Sequence, residues 1–325
     1  MRRLTRLCAR IAVKAVCRQV ARWQTPAVCT IYFLLASTTA ATAPKAELWQ
    51  RWTAHDPAAT TTIDHHTWDH FVRAYVSSFP DGVNRVAYAD VTAADRKLLE
   101  SYIDALTIIP ISAYYNRNEQ RAYWINLYNA LTVKVVLDHY PVKSIRQIKP
   151  NVFSIGPWRK KRITVEGAEL SLDDIEHRIL RPIWRDPRLH YALNCASIGC
   201  PNLLNKAFTA ANSETVLTQA ARAYINNPRG AELRNGRLVV SSIYKWYKED
   251  FGNTDAAVIG HLRRYAEPAL SAQLREITRI SAYRYDWALN DAAQVPKQAA
   301  ARPRFAPFVT CEPLADGSQA GEGFE

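Results

Sequence analysis

The stretch "NEQRAYWINLYNALTVKVVLDHYP", residues 118–141, most limits what this chain can fold into. It holds no internal Gly or Pro and ends at Pro141, which cannot continue a helix. Apolar side chains cover most of its circumference rather than one stripe, so the helix has to be enclosed by other elements on nearly every side. Eight tryptophans spread from Trp49 to Trp287 point to one continuous core around it.

The flanking segments supply the shell. Asp64 caps a helix over residues 64–76, "NRVAYADV" after "PDG" reads as a short strand, and a second helix covers residues 93–106. "KKRITVEGAEL" is a hairpin turning at Glu166-Gly167. "SLDDIEHRILR" is a helix opened by a Ser171/Asp174 capping box. "RLHYALN" reads as a strand, residues 214–225 as a helix, "AELRNGRLVVS" as a hairpin with an Asn235-Gly236 turn, and "IYKWYKEDFG" as an aromatic helix. The fold class is therefore α+β: a helix-rich single domain around a small antiparallel sheet, with one buried central helix. From Ala292 onward the chain is rich in Ala, Pro and Gly and is expected to be disordered.

The first 43 residues read as a leader. Seven basic residues, Arg2, Arg3, Arg6, Arg10, Lys14, Arg18 and Arg22, stand there without an acidic one, and the apolar "AVCTIYFLLA" and the small residues "STTAATAP" follow. That is the grammar of a secretory signal peptide, whose removal leaves a first residue between Ala41 and Pro44. The apolar run is about half of the roughly 20 residues a spanning helix needs, so the mature chain is expected to have no stable membrane span. The expected location is exported, to a periplasm or the exterior. Losing those seven from the 42 basic residues leaves 35 against 30 acidic, near +5 rather than +12. With no dense basic block and no nucleic-acid motif, nucleic acid is not an expected partner. The partner is otherwise open, and no cofactor is indicated.

Cleavage also removes Cys8, Cys17 and Cys29 and leaves Cys195, Cys200 and Cys311, the last inside the tail. An odd number in an oxidising compartment means a free thiol or an intermolecular bond.

Candidate site residues gather in three places. Asn126 and Asn129 lie three apart on one face of the apolar helix, where a buried amide without partners costs roughly 1 to 3 kcal/mol; they either tie down a loop backbone or line a polar site. His177 follows Glu176 and shares a helix face with Asp174, so a carboxylate can orient its ring, as a general base needs and as an ordinary surface pair also does. The third place is "DPRLHYALNCASIGCPNL", with His190, Asn194, Cys195, Ser197 and Cys200. On an extended chain rising about 3.3 Å per residue, His190 and Cys195 stand roughly 16 Å apart and on opposite faces. A base for Cys195 then comes from a sharp fold after Asn194 or from elsewhere, His177 being next in sequence.

The two cysteines have three readings: a disulfide across a short loop worth roughly 2 kcal/mol; a metal site with His190 and His177, against which the absence of a Cys-x-x-Cys pair counts; or a nucleophilic thiol at Cys195 in an irregular turn.

The motifs "AYWINLYNAL", "LSLDDIEHRILR", "DPRLHYALNCASIGCP", "WYKEDFG" and "YDWALN", in this order, resemble the bacterial branch of the family catalogued as domain of unknown function 547. The resemblance is close over about residues 104–226 and continues to Asn290. It implies no established general activity. It picks out Asn126, Tyr128, Asn129, Glu176, His177, His190, Asn194, Cys195 and Ser197, with Cys200 and Pro201 in bacterial-type members. Plant-type members keep the first cysteine but carry Ser-Pro at the second, so the resemblance sets Cys195 apart from Cys200. The chain then reads as a signal peptide 1–43, an N-terminal helical extension 44–103, the family domain with a C-terminal extension 104–290, and a tail 291–325.

The expected function is that of an exported thiol-dependent hydrolase or acyl transferase. Cys195 attacks a carbonyl, His177 or His190 moves the proton, and Asn126, Asn129 or Asn194 orients the base or donates to the oxyanion. Glu176, Ser197 and Cys200 line the site. The alternative is a non-catalytic exported binding or scaffold module with a structural Cys195–Cys200 disulfide. An enzyme of the first kind places a histidine within hydrogen-bond reach of Cys195.

Overall fold

The computed structural model describes residues 43–151 and 154–294, and from Pro44 onward these lie in one unit, Pro44–Glu325. Nearly all of the expected leader, with Cys8, Cys17 and Cys29, and the chain beyond Gln294, with Cys311, lie outside the described residues, whereas Ala292–Gln294, expected to be disordered, form a 3-10 turn.

Helix α1, His66–Tyr75, starts behind Asp64, whose Oδ1 accepts from the His66 N–H at 2.8 Å, and turns Trp68, Phe71 and Val72 inward. Strands β1, Val76–Ser78, and β2, Asn84–Val86, form an antiparallel pair. Helix α2, Ala93–Thr107, is capped by Thr92, and α3, Arg117–Leu137, by Asn116, whose side chain accepts from two backbone N–H groups. The all-round apolar pattern of α3 has the expected result: of its 21 residues, all but Arg117, Asn118 and Lys134 are buried. Its neighbours are α2 and the helical segment that begins at Asp174, so its enclosure is helix on helix. Trp52, Trp68, Phe71 and Leu99, from the stretch read as an N-terminal extension, share one hydrophobic cluster with α3.

The hairpin β3, Ile163–Val165, and β4, Ala168–Leu170, turns at Glu166 and Gly167, with φ of 46° and 75°. A two-residue turn of this hand needs both positions left-handed. The capping box follows: the Ser171 N–H donates to Asp174 Oδ2 at 2.8 Å, and the Asp174 N–H to Ser171 Oγ at 3.2 Å. The segment it opens is not a regular α-helix. It winds as a π-helix over Asp174–Leu180 before tightening into α4, Arg181–Trp184. Such wide turns are uncommon and recur at functional sites. Here Glu176 and His177 are both buried.

The expected strand at "RLHYALN" is a 3-10 helix, Pro187–Tyr191. Asp186 accepts from the Arg188 N–H at 2.8 Å and Pro187 occupies the first turn, which is helix-start grammar. Leu189 through Leu193 are buried consecutively, without the alternation a half-buried strand requires. The extended-chain separation of His190 and Cys195 therefore does not apply.

Helix α5, Ser213–Ile225, leads to β5, Ala231–Arg234, and β6, Arg237–Ser241, which turn at Asn235 and Gly236. Strand β7, Ala282–Arg284, adds to β6 in parallel, so this third small sheet is mixed where antiparallel pairing alone was expected. Helix α6, Ile243–Trp246, and a 3-10 turn, Lys248–Phe251, replace one continuous aromatic helix. Helices α7, Asp255–Tyr265, and α8, Pro268–Gln273, follow.

Candidate functional site

Helix α3 positions the site through two amides. Asn126 holds the backbone of Phe208, donating to its carbonyl at 2.8 Å and accepting from its N–H at 3.0 Å. One turn later Asn129 donates to the Ala192 carbonyl and accepts from the Asn194 N–H, both at 2.9 Å. Each amide acts as a substitute peptide group for a loop that has no ladder of its own. Asn194 continues the pattern, donating to the Pro201 carbonyl at 2.7 Å and accepting from the Ala196 N–H at 2.9 Å, so the ends of the loop that carries both cysteines are tied together by its own side chain.

Inside that loop Ala196 stands at φ 58°, in the left-handed region that a residue with a Cβ rarely takes. The turn is held from outside: the Asn290 N–H donates to the Ala196 carbonyl, and the Ile198 and Gly199 N–H groups donate to Ala288 and Asp286 at 2.8 Å. Gly199 is required because a Cβ would stand 2.6 Å from the Asp286 nitrogen. Arg229 donates to the carbonyls of Ile198 and Cys200, and Tyr224 to that of Gly199.

Cys195 is a partly exposed residue, and its sulfur has two hydroxyl neighbours, Ser197 Oγ at 3.2 Å and Tyr285 Oη at 3.0 Å, which are themselves 2.9 Å apart. The Cys195 N–H donates to Cys200 Sγ at 3.0 Å. Hydrogen bonding from the Cys200 thiol, against burial and with help from Ser197 and Tyr285, holds the Cys195 thiol below its ordinary pKa. Burial pushes the Cys200 thiol well up, and its bond to Cys195 adds to this. Both thiols are free. The Tyr285 ring packs against Trp246 and Trp287, with centroids at 4.8 and 4.6 Å.

The histidines belong to a second, ionic cluster. Arg181 joins it: Nε donates to Asp250 at 2.6 Å, Nη2 to Glu249 at 2.8 Å, and Nη1 to the Pro44 carbonyl at 2.8 Å and to His177 Nδ1 at 3.0 Å. His190 Nε2 meets the same Asp250 oxygen, Oδ2, at 2.7 Å, and its ring stacks on Tyr247 at 4.2 Å. Glu176 lies 4.0 Å from the Nδ1 atoms of both histidines and accepts from the Tyr128 hydroxyl at 3.1 Å. Burial, opposed by Glu176, lowers His177 to about 4. With Nδ1 accepting from Arg181, the ring is neutral and carries its proton on Nε2, toward Asp173 at 3.7 Å. Burial raises Asp173 to about 6. Asp250 falls to about 2 because its bonds from His190 and Arg181 outweigh burial.

Of the residues singled out in the sequence, Cys195, Ser197, Cys200 and Asn194 come together in one loop, and Glu176, His177 and His190 in one cluster. Neither imidazole is a hydrogen-bond partner of the Cys195 sulfur, whose neighbours are Ser197 and Tyr285. The Glu176 carboxylate is near enough to oppose ionisation of Cys195, which couples the two groups electrostatically. Among the described residues no group of three or more His, Cys, Asp or Glu side chains is placed to hold a metal ion, so Cys195, Cys200, His177 and His190 do not form a ligand set. Tyr247, Asp250 and Tyr285 were missed as site residues, although "WYKEDFG" and "YDWALN" contain all three. A surface cleft of about 490 Å³ lies over Arg185, Asp186, Arg188, Arg264 and Tyr265 and includes none of the candidates.

Residues 112–225 match the family described as "Protein of unknown function, DUF547". The match supports the family read from the motifs, and the DUF547 stretch contains both cysteines, both histidines and the clamping asparagines. Tyr247, Asp250 and Tyr285 lie beyond it. No curated protein and no solved structure matches the chain. Among the described residues no helix is long and apolar enough to cross a membrane.

Proposed function

We propose that Cys195 is the nucleophile of a thiol-dependent hydrolase or acyl transferase acting in an exported compartment. One observation carries this reading: the thiol of a partly exposed cysteine, set beside a strained residue, surrounded by the Cys200, Ser197 and Tyr285 donors and held below the ordinary thiol pKa. A thiol whose pKa is lowered by its hydrogen-bond donors depends less on an imidazole to remove its proton. The sulfur adds to an acyl carbonyl, whose π pair moves onto oxygen. Collapse expels the leaving group, which takes its proton from the Tyr285 or Ser197 hydroxyl, both within 3.2 Å of the sulfur. Water or an acceptor nucleophile then displaces the thiolate from the thioester and gives its proton to the hydroxyl oxygen that lost one in the first step. The histidines act on this site through Glu176 and Tyr247 as positioning residues.

The test is a chromophoric acetate ester given to reduced protein. A burst of one equivalent, with an acetyl group mapped to Cys195 and lost in Cys195→Ser, is the expected result. A Cys195 that iodoacetamide alkylates readily while no ester ever acylates it overturns the reading. A second reading, a non-catalytic exported binding or scaffold module, is favoured by the dense cross-pairing around Arg181, whose guanidinium is already held by four partners.

A further inference from the structure

Acyl transfer uses one thiol, and the loop presents two with unequal surroundings. Cys195 is partly exposed, whereas Cys200 is 4 % exposed. Their proximity does not depend on a covalent bond: Asn194 ties Ala196 to Pro201, the Cys200 N–H donates to the Ser197 carbonyl at 3.1 Å, and the left-handed Ala196 folds the chain back so that the Cys195 N–H reaches Cys200 Sγ at 3.0 Å. A loop closed by its own hydrogen bonds keeps two reduced sulfurs adjacent. A bridge whose purpose was stabilisation would be what closes the loop.

We propose that Cys195 and Cys200 form a reactive dithiol that reduces disulfides by exchange, with Cys195 attacking and Cys200 resolving. This rests on the reading of Cys195 as a nucleophile and adds a second electrophile to it. The Cys195 thiolate attacks one sulfur of a substrate disulfide; a Cys195–substrate S–S bond forms, the substrate S–S bond breaks, and the departing thiolate takes a proton from water. Cys200 then loses its proton and attacks Cys195 Sγ, breaking the mixed disulfide and releasing the second substrate thiol. Two electrons pass from the dithiol to the substrate, and the protein is left with a Cys195–Cys200 disulfide that an external thiol reduces. The asymmetry sets the order, because the more exposed cysteine meets the substrate and the buried one lies between the Cys195 N–H and the Leu193 carbonyl. The opposing shifts of the two thiols act in the same direction.

Reduced full-length chain is mixed with excess oxidised glutathione, quenched with acid, alkylated and read by intact mass and peptide mapping. The expected wild-type product is a Cys195–Cys200 disulfide, with two glutathione thiols released for each such bridge. Cys200→Ser and, as a second replacement, Cys200→Ala are expected to stop with glutathione on Cys195, and Cys195→Ser to react at neither position. The proposal falls if the wild type also stops as the mixed disulfide, or if Cys200 reacts as fast in Cys195→Ser as in the wild type. Thioester formation at Cys195 without the internal disulfide overturns exchange alone, and the internal disulfide without any thioester overturns acyl transfer alone.

Discussion

The cysteine loop and the cluster around Arg181 draw on neighbouring stretches of chain and use opposite physics. In the cluster, charge answers charge: Arg181 has four partners, and Asp250 is shared between Arg181 and His190. In the loop no formal counter-charge bonds the reactive atom, which has only uncharged donors around it, and Cys195 itself is partly exposed. A buried network whose groups are already bonded to one another has little left to react with, and breaking it strands a charge. A thiol bonded only by uncharged donors is the reverse. Stability is therefore expected to depend on the cluster, and reactivity on the loop.

The largest test of that division is Arg181→Met. It leaves Asp250, Glu249 and the Glu176 region without their cation, and a loss of about 3 to 5 kcal/mol is expected in denaturant unfolding. A loss below about 1 kcal/mol would mean the cluster is not what holds this part of the fold.

Acid is the next. His177 at about 4 stays neutral in the fold while the unfolded chain takes up a proton near 6.5, so stability is lost as pH falls from about 6.5 to about 4. One such group contributes up to about 3 kcal/mol. His65 and His261, each lowered to about 4 by burial, act in the same direction. Asp173 opposes them, because its folded form, raised to about 6, takes up a proton first. Urea unfolding across this range should become flatter in His177→Gln, and an unchanged slope would assign the acid sensitivity elsewhere.

Asn129→Leu comes third, at about 1 to 3 kcal/mol, since the Ala192 carbonyl and the Asn194 N–H are left buried and unpaired. An unchanged melting temperature would contradict the clamp. The smallest effect in stability is the most specific in chemistry. Tyr285→Phe removes one donor from Cys195 and should move the pH profile of its alkylation upward, by up to about one unit, with the melting temperature nearly unchanged. A profile that stays in place would show that the hydroxyl does not hold the thiolate.

Much of this was legible in the sequence, for local reasons. The burial of α3 follows from apolar residues on every face, the two hairpins from Glu166-Gly167 and Asn235-Gly236, and the capping box from Ser171 and Asp174, each a matter of residues within one or two turns. The same locality misled at residues 188–194, where an apolar run without alternation looked like a strand and is a 3-10 turn packed on every side.

Residue types alone picked out Cys195, Cys200, His177 and His190 and could not distribute them. That depended on contacts made across long sequence separations. Asp250, 60 residues from His190, and Tyr285, 90 residues from Cys195, sort the histidines into an ionic cluster and the thiol into a hydroxyl-bonded turn. Chemistry-bearing side chains and their local geometry are written in short segments of chain. Which of them face each other is decided by packing around α3 and by the return of the "YDWALN" segment to the loop, because a buried hydrogen bond selects its partner by position in space and carries no sequence spacing of its own.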